Sequence, residues 1–255
     1  MKKLDTISSA QNNHLKLLKK LALKKYRQEQ GRFVVENLTI IKDALTAGFN
    51  FEALFVTPDF VTRNIDKFQF LHENSDAPYY LVEENLNRHY SQLETPSGVA
   101  ALYQLPKNNE ISNDSVIYLN AISDPGNLGT ILRTALAFNF KNIVLDANCV
   151  DVFNAKTISA AKDSIFKLNI LKDEDGSWIK NCQLPIYITS SHGESNLDDF
   201  KAAAKFCLVL GNESHGTSEV INKLAIKKIK IDISDKIESL NVGVAAGILL
   251  YKLKK

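Results

Sequence analysis

Residues 120–135 read Asn-Ala-Ile-Ser-Asp-Pro-Gly-Asn-Leu-Gly-Thr-Ile-Leu-Arg-Thr-Ala and directly follow the apolar run Val116 to Leu119. The run predicts a buried strand, and the cluster at 124–127 predicts the turn by which the chain leaves the sheet. Apolar residues then recur with helical spacing, at Leu128, Ile131, Leu132, Ala135 and Phe138. A strand, a turn and a helix in this order indicate an α/β protein.

One arginine of this predicted helix lies away from the apolar face. Arg133 follows Leu128 by five positions, which places it about 140° around the helix axis. In α/β folds, ligands bind above the carboxyl ends of the strands, so Arg133 is a candidate to face a ligand. Taken alone, however, an arginine on the polar face of a helix is more often simply solvated.

Two later segments repeat the order of strand, polar turn and helix. Residues 206–216 read Phe-Cys-Leu-Val-Leu-Gly-Asn-Glu-Ser-His-Gly, an apolar run that enters a turn at Gly211. Residues 229–247 read Ile-Lys-Ile-Asp-Ile-Ser-Asp-Lys-Ile-Glu-Ser-Leu-Asn-Val-Gly-Val-Ala-Ala-Gly, where alternating isoleucines lead to a polar loop and a helix of small residues. The repeated pattern predicts a mostly parallel sheet wrapped by helices.

In order and spacing, the three segments resemble the three motifs of the SpoU (TrmH) family of RNA ribose 2'-O-methyltransferases, which belongs to the SPOUT class. The resemblance covers about residues 115–255 and is specific because three separate motifs agree. It implies a SPOUT α/β domain with a mostly parallel sheet and a deep C-terminal trefoil knot. It also implies S-adenosylmethionine as the cofactor, RNA as the partner and a homodimer.

The resemblance also implies roles for individual residues. The cofactor contacts fall on Gly211, Ile231 and Leu240. Arg133 takes the catalytic position, and the residues implied to assist it are Asn127, Glu213, Ser239 and Asn241. For Ser239 and Asn241, capping of the last helix is at least as good an explanation as direct chemistry. Four positions depart from the family pattern: Asp232 replaces a proline, Gly243 replaces a serine, and Ser214-His215 replace a glycine and an acidic residue.

The N-terminal third has its own resemblance. Residues 7–9 (Ile-Ser-Ser), a basic helix and residues 31–36 (Gly-Arg-Phe-Val-Val-Glu) resemble the small, ribosomal-protein-like substrate-binding domain of longer family members. Asn37 stands where a glycine is common. The polar segment 105–114 contains a proline and lacks periodicity, which indicates a linker. The expected organisation is an RNA substrate-binding domain at 1–104, a linker at 105–114 and the methyltransferase domain at 115–255.

The charge is concentrated at the start of the chain. The total of 255 residues has a net charge of +2, but the first 35 residues alone carry +7. A helix predicted from His14 to Arg27 places Lys16, Lys20 and Lys24 on one face, without an acidic partner in the helix. Such a stripe suits a phosphate backbone, and with Arg32 these lysines form the predicted RNA-binding set. A solvated lysine face is the simpler alternative.

Composition limits the function classes. The 45% hydrophobic and 24% charged residues are ordinary for a globular protein. No apolar run approaches the length of a membrane span and no signal peptide is apparent, so a cytoplasmic location is expected. The histidines lack metal-ligand spacing, so no metal is expected. The cysteines lack paired spacing and are expected to be small buried hydrophobic residues: Cys149, Cys182 and Cys207.

The pattern predicts strands near 33–35, 54–56, 79–82 and 99–103 in the first domain, with helices near 40–47 and 83–90. In the second, it predicts strands near 116–119, 142–145, 165–170, 186–189, 206–210 and 228–233. The resemblance to the SpoU family implies that a chain with these elements is an S-adenosylmethionine-dependent RNA 2'-O-ribose methyltransferase, with ribosomal RNA favoured over transfer RNA. The alternatives are a non-catalytic RNA-binding or ribosome-assembly factor with the same fold, and a Rossmann oxidoreductase. The turn at 126–129 lacks the glycine spacing that the oxidoreductase requires.

Overall fold

The chain is organised as two units, each built on its own sheet. A computed structural model describes residues 4–106, 111–190, 193–212 and 216–254. The first unit comprises residues 1–106 with 153–159, and the second comprises 107–152 with 160–255. The segment 153–159 thus belongs to the first unit although its sequence lies within the second, which nothing in the sequence pattern predicts. Its Phe153 ring lies 4.6 Å from that of Phe33.

The first unit contains a mixed sheet of five strands in the order β1-β4-β3-β5-β2. β5 is antiparallel to both β2 and β3, and the other pairs are parallel. Its elements are β1 (Asp5–Ile7), α1 (Asn13–Lys20), α2 (Lys24–Gln30), β2 (Arg32–Val35), α3 (Leu38–Thr46), β3 (Ala53–Val56), α4 (Pro58–Arg63), α5 (Ile65–Asn74), β4 (Tyr79–Val82), a 3-10 turn (Glu84–Leu86), α6 (Asn87–Tyr90) and β5 (Val99–Gln104).

Helix α3 begins where the sequence departs from the family pattern. Asn37 is the N-cap, and its side chain accepts a hydrogen bond from the backbone N–H of Ile40 at 3.1 Å. Its φ of −141° is an extended conformation that does not require glycine. The asparagine therefore contributes a cap that a glycine would lack.

The predicted single basic helix is wrong, because α1 ends at Lys20 and α2 begins only at Lys24. Arg27 explains the break. Its side chain is 3% exposed, and its Nη1 donates to the carbonyl oxygens of Leu21 and Ala22 at 2.7 and 2.8 Å, in the turn between the helices. Lys24 therefore does not continue the helix face that carries Lys16 and Lys20. Arg27 therefore stabilises the turn between α1 and α2, and its charge is buried and not available at the surface.

The second unit contains seven strands in the order β10-β12-β9-β11-β6-β7-β8, and every pair is parallel. The central strands β6, β7 and β11 are buried along their whole length, as parallel strands covered on both faces must be. After residue 115 the elements are β6 (Val116–Leu119), α7 (Pro125–Ala137), β7 (Asn142–Asp146), α8 (Ala155–Ala161), α9 (Ser164–Lys167), β8 (Asn169–Asp173), α10 (Ser177–Lys180), β9 (Ile186–Thr189), β10 (Ser195–Asn196), β11 (Cys207–Leu210), α11 (Glu219–Leu224), β12 (Lys227–Lys230) and α12 (Val242–Leu253). Of these, α8 begins within the segment that belongs to the first unit.

Most predicted strands coincide with observed ones apart from their ends, but the strand predicted at 165–170 is wrong. That segment contains the short helix α9, and β8 begins only at Asn169. The Ser164 hydroxyl donates to the carbonyl of Ala161 at 2.7 Å, and Lys167 forms an ion pair with Asp163 one turn away. These local contacts favour a helical turn in a run whose apolar residues alternate like those of a strand. The helix predicted at 83–90 is a 3-10 turn followed by α6.

The cysteines differ from the prediction at one position. Cys149 and Cys207 are buried, whereas Cys182 is only partly buried. A hydrogen bond with Cys207 lowers the pKa of the Cys182 thiol to about 7.

Within the described ranges, no helix has the length and apolar character needed to cross a membrane, and no three metal-ligating side chains form a cluster.

Candidate active site

The loops that carry the sequence motifs follow the carboxyl ends of β6, β11 and β12. β6 and β11 are neighbours in the sheet, and from β6 the chain first fills one side with β7 and β8 and then the other with β9 and β11. The order of the strands therefore reverses between β6 and β11. Such a switch point is where parallel α/β sheets place ligands.

Helix α7 begins at the first motif as the sequence predicts. Asp124 is its N-cap, and the carboxylate accepts a hydrogen bond from the backbone N–H of Asn127 at 2.7 Å. Pro125 occupies the first helical position, where its missing N–H costs nothing. The motif thus fixes the direction in which α7 leaves the sheet.

The side chains of Asn127 and Asn241 join the first and third motifs. Nδ2 of Asn241 donates to Oδ1 of Asn127 at 2.9 Å. Oδ1 of Asn241 accepts from the backbone N–H groups of Gly243 and Val244 at 2.9 and 3.3 Å, so Asn241 also caps α12. The capping role weighed for Asn241 is therefore confirmed, and the same amide holds the start of α7.

Small residues allow α7 and α12 to pack closely. Gly243 is buried, and a Cβ there would lie 3.2 Å from Cγ2 of Thr130 and 3.2 Å from Oδ1 of Asn241. A Cβ on Gly247 would lie 4.0 Å from Cγ2 of Thr134. The replacement of the usual serine by Gly243 thus leaves room for Thr130 and for the capping amide.

Arg133 lies on the exposed side of α7, as its position relative to the apolar stripe predicts. It follows Asn127 by six residues, or about 9 Å along the helix axis. Its guanidinium makes no hydrogen bond or ion pair with any of the residues that the structure describes. Glu213, predicted to assist Arg133, lies outside the described residues, as do Ser214 and His215.

Gly211 is required by the backbone of its own segment. A Cβ on this buried glycine would lie 2.5 Å from the carbonyl carbon of Gly216 and 2.7 Å from the nitrogen of Thr217. Asn212 and Gly216 exchange two backbone hydrogen bonds of 3.0 and 2.9 Å, which hold this approach. A larger residue at Gly211 therefore displaces the segment itself, whatever ligand lies beside it.

The other predicted cofactor residues lie between β12 and α12. Ile231 directly follows β12 and is half-buried, and Leu240 is half-buried one residue before the cap of α12. Ser239 is exposed. The two half-buried aliphatic side chains offer apolar surface of the kind that suits a flat adenine ring.

Two residues for which the sequence predicts no role form a hydrogen bond between the carboxyl ends of β6 and β7. Asn120 follows β6 and Asp146 ends β7, and Nδ2 of Asn120 donates to Oδ2 of Asp146 at 2.6 Å. Both side chains are buried. The sequence signal was a polar residue at the end of an apolar strand in each case, which marks the carboxyl edge of a parallel sheet.

The predicted RNA-binding residues of the first unit differ in exposure and in ion pairing. Lys16, Lys20 and Lys24 are exposed. Arg32 is half-buried, and its Nε donates to the Glu52 carboxylate at 2.6 Å. Burial of Glu52 is outweighed by the hydrogen bonds from Arg32 and Gln104, which hold the pKa of Glu52 below its usual value. The charge of Arg32 is thus largely neutralised within the domain.

A large cavity of the second unit lies apart from these residues. It has a volume of about 770 Å³, and its lining includes Asp114, Asp173, Trp178 and Cys182. None of the predicted catalytic or cofactor-binding residues lines it. The predicted site residues therefore lie outside this cavity.

Comparison with known proteins agrees with this architecture. Residues 114–251 match the SpoU rRNA methylase family. The chain belongs to this family. Residues 12–101 match the MRM3-like substrate-binding domain. This SpoU protein is 28% identical to the 23S rRNA (guanosine(2553)-2'-O)-methyltransferase RlmP of Bacillus subtilis, over 97% of this chain and 98% of the relative.

Solved structures of SpoU relatives have the same fold. An RNA methyltransferase of the TrmH family from Porphyromonas gingivalis aligns with a TM-score of 0.83 and 25% identity, over 97% of this chain and 98% of that one. AviRb from Streptomyces viridochromogenes aligns with a TM-score of 0.85 and 20% identity, over 95% and 97% of the two chains. The predicted α/β fold, family and RNA 2'-O-ribose methyltransferase activity with S-adenosylmethionine are thus confirmed.

A double-mutant cycle tests the link between the motifs of this SpoU protein. Asn241→Ala removes a helix cap and lowers the free energy of unfolding by about 1 kcal/mol. Combined with Asn127→Ala, we expect a coupling energy of about 0.5–1.5 kcal/mol in urea unfolding, because the two amides share a hydrogen bond. The control pairs Asn127→Ala with Asn37→Ala, which removes the cap of α3. Those two effects should add, and equal additivity in both cycles would contradict the link.

Proposed function

We propose that this SpoU protein methylates a ribose 2'-hydroxyl in large-subunit ribosomal RNA. The observation that carries this proposal is the hydrogen bond between Asn127 and Asn241, which brings the first and third motifs together next to the helix that carries Arg133. The full-length similarity to RlmP supports a ribosomal rather than a transfer RNA substrate. Mapping ribose methylation across ribosomal RNA from cells with and without the gene tests this assignment, and loss of a methyl group from transfer RNA alone would contradict it.

The cofactor-binding set in this proposal is Gly211, Ile231 and Leu240. When bound, S-adenosylmethionine supplies a methyl group on a cationic sulfur to an oxygen nucleophile. Because Gly211 has no side chain, the backbone after β11 can lie against the backbone of Gly216 and Thr217. The two aliphatic side chains are half-buried and offer apolar surface to the adenine ring. Calorimetric titration with S-adenosylmethionine separates an enzyme from a non-catalytic factor with the same fold. An enzyme should bind the cofactor, whereas a non-catalytic factor should show no binding.

Arg133 acts as a phosphate clamp in this proposal and not as a base. A guanidinium stays protonated at ordinary pH, so it cannot readily remove the proton of the ribose hydroxyl, which passes to solvent water in this proposal. Its planar donors can hold an RNA phosphate at two points and stabilise the negative charge that develops on the 2'-oxygen. Asn127 and Asn241 fix the start of α7 and hence the position of Arg133, and Glu213 and Ser239 complete the set as substrate contacts.

Replacement of Arg133 by lysine tests the clamp. We expect Arg133→Lys to lower kcat/KM for RNA by about two orders of magnitude, because an ammonium group keeps the charge but loses the planar two-point contact. Affinity for S-adenosylmethionine should stay within error, since Arg133 is assigned to the RNA. Arg63→Lys, at an exposed arginine of the first unit, is the control. Methyl transfer by Arg133→Lys at the rate of the unaltered protein would remove the clamp from the mechanism.

The first domain, residues 1–104, binds RNA in this proposal, while 105–114 forms the linker and 115–255 the methyltransferase domain. Lys16, Lys20 and Lys24 are exposed and available to phosphates. Arg32 contributes less free charge because Glu52 pairs with it. The match of residues 12–101 to a substrate-binding domain supports this role.

A salt series measures the lysine contacts. Each phosphate contact contributes roughly 0.7–0.9 to the slope of log affinity against log salt concentration, so exchange of Lys16, Lys20 and Lys24 for Gln should flatten the slope by about two. The control exchanges the exposed lysines Lys67, Lys141 and Lys205 for Gln. The last two precede strands of the second sheet and hence lie at the edge opposite the motif loops. Equal slopes for the two triple variants would show that only total charge matters.

We propose further that the protein is a homodimer with a trefoil-knotted C-terminal segment and works in the cytoplasm. The dimer is supported by α12, which is apolar on all sides before its last turn although Val244, Ile248 and Tyr251 are 53%, 39% and 60% exposed. A helix without a polar face is usually buried on all sides. The knot is supported by the fold shared with SpoU relatives, and the cytoplasm by free cysteines in a protein that acts on RNA.

Sedimentation equilibrium tests the dimer. Ile248→Asp places a charge in the centre of the apolar stripe and should convert dimers to folded monomers, because burial of an unpaired carboxylate opposes association. Ile65→Asp is the control, since Ile65 is 62% exposed on α5 of the first unit. A monomeric unaltered protein, or a dimer unaffected by Ile248→Asp, would contradict this interface.

A further inference from the structure

The carboxylate of Asp146 is the centre of a buried hydrogen-bond network. Asp146 ends β7 and is 7% exposed. Its Oδ2 accepts from Nδ2 of Asn120 at 2.6 Å, and its Oδ1 accepts from the backbone N–H groups of Ala121 and Asn148 at 3.0 and 3.1 Å. A buried carboxylate is costly unless it is well hydrogen-bonded, and these three donors meet that requirement.

The network continues from Asp146 to the segment after β11. Oδ1 of Asn120 accepts from the backbone N–H of Ser218 at 2.9 Å. Nδ2 of Asn212 donates to the carbonyl oxygen of Ala121 at 3.0 Å. Both ends of the described segment after β11, at Asn212 and Ser218, are thus held by the loop that follows β6. That loop is in turn held by Asp146.

The chemistry of a carboxylate determines the direction of these bonds. An ionised carboxylate only accepts, so Asn120 must turn its NH₂ group toward Asp146 and its oxygen toward the N–H of Ser218. Ala121 adopts a φ of 57°, a left-handed conformation that is unfavourable for alanine. The hydrogen bonds of its N–H to Asp146 and its carbonyl to Asn212 hold it there. Asp146 thereby fixes both the amide orientation and the strained turn.

We propose that Asp146 is a positioning residue, which sets the affinity for S-adenosylmethionine by fixing the segment after β11 through Asn120 and Ala121. This inference rests on the proposed assignment of Gly211 to the cofactor site. Gly211 lies against the backbone of Gly216 and Thr217, since a Cβ built on it would lie 2.5 Å from the carbonyl carbon of Gly216 and 2.7 Å from the nitrogen of Thr217. A small shift of the anchors at Asn212 and Ser218 is therefore transmitted to the backbone at Gly211.

The second sheet offers a matched control one strand away. Asp173 ends β8 and is 3% exposed. Its carboxylate also accepts three hydrogen bonds, from the Tyr118 hydroxyl at 3.0 Å and from the backbone N–H groups of Trp178 and Ile179 at 3.1 and 3.2 Å. None of these donors belongs to a motif loop. Asp173 thus matches Asp146 in burial and hydrogen bonding but is not connected to the cofactor segment.

The experiment compares Asp146→Asn with Asp173→Asn in the full-length protein. An asparagine keeps the size of the side chain, but its NH₂ group faces donors and leaves them without acceptors. We expect both variants to unfold at a lower urea concentration. Only Asp146→Asn should raise the Kd for S-adenosylmethionine, by about tenfold or more, because the released segment at Gly211 must be brought back into place when the cofactor binds, at about the cost of one hydrogen bond. The KM for S-adenosylmethionine should rise equally while the KM for RNA is unchanged.

The comparison of the two aspartate variants can also overturn the inference, and two additional variants keep the test decisive. An equal loss of cofactor affinity in both aspartate variants, or no loss in either, overturns it. If Asp146→Asn does not fold, Asn120→Ala takes its place, because it cuts the connection to Ser218 and leaves Asp146 with its two backbone donors. Leu240→Glu separates this inference from the site assignment. If Leu240→Glu abolishes binding and Asp146→Asn does not, only the positioning role fails, whereas unchanged affinity in both variants removes the site itself.

Discussion

The starts of α7 and α12 must lie close enough for one asparagine side chain to serve both. Asn241 caps its own helix and donates to Asn127 across 114 positions of sequence. This contact requires that the helices approach closely, and Gly243 eases the approach because a Cβ there would lie only 3.2 Å from Cγ2 of Thr130. The exposed position of Arg133 follows from the same packing, since the side of α7 that carries the apolar stripe is buried. The position of Arg133 thus depends on a contact between helices and not on the helix sequence alone.

The switch point of the second sheet is filled by side chains of the protein itself. Asn120 connects the ends of β6, β7 and β11 through Asp146 and Ser218, so the gap in which many parallel sheets bind a ligand is closed by hydrogen bonds. The candidate cofactor residues lie beyond it, on the loops after β11 and β12. The buried polar network thus connects the strand ends, whereas the candidate cofactor residues lie on the loops outside it.

The sequence predicted the order of strands and helices well wherever a local signal existed. The strand and turn around 116–127 and the cap at Asn241 are examples, because apolar runs and capping residues act within a few positions. It failed where distant residues decided the outcome. Arg27 breaks the predicted basic helix through buried contacts that periodicity does not show, and Glu52 neutralises Arg32 from a different strand. The pairing of Asn120 with Asp146 likewise depends on sheet order, which a single sequence does not reveal.

The position of Phe153 changes what counts as the first domain. Phe33 is 1% exposed, and part of its cover is the Phe153 ring, which the chain contributes only after it has built two strands of the second sheet. A fragment that ends at the linker would therefore carry an uncovered aromatic residue on β2 and be prone to self-association. During synthesis, the N-terminal unit completes its own packing only once residues beyond 153 have left the ribosome, so its folding is coupled in time to the appearance of the sheet that follows.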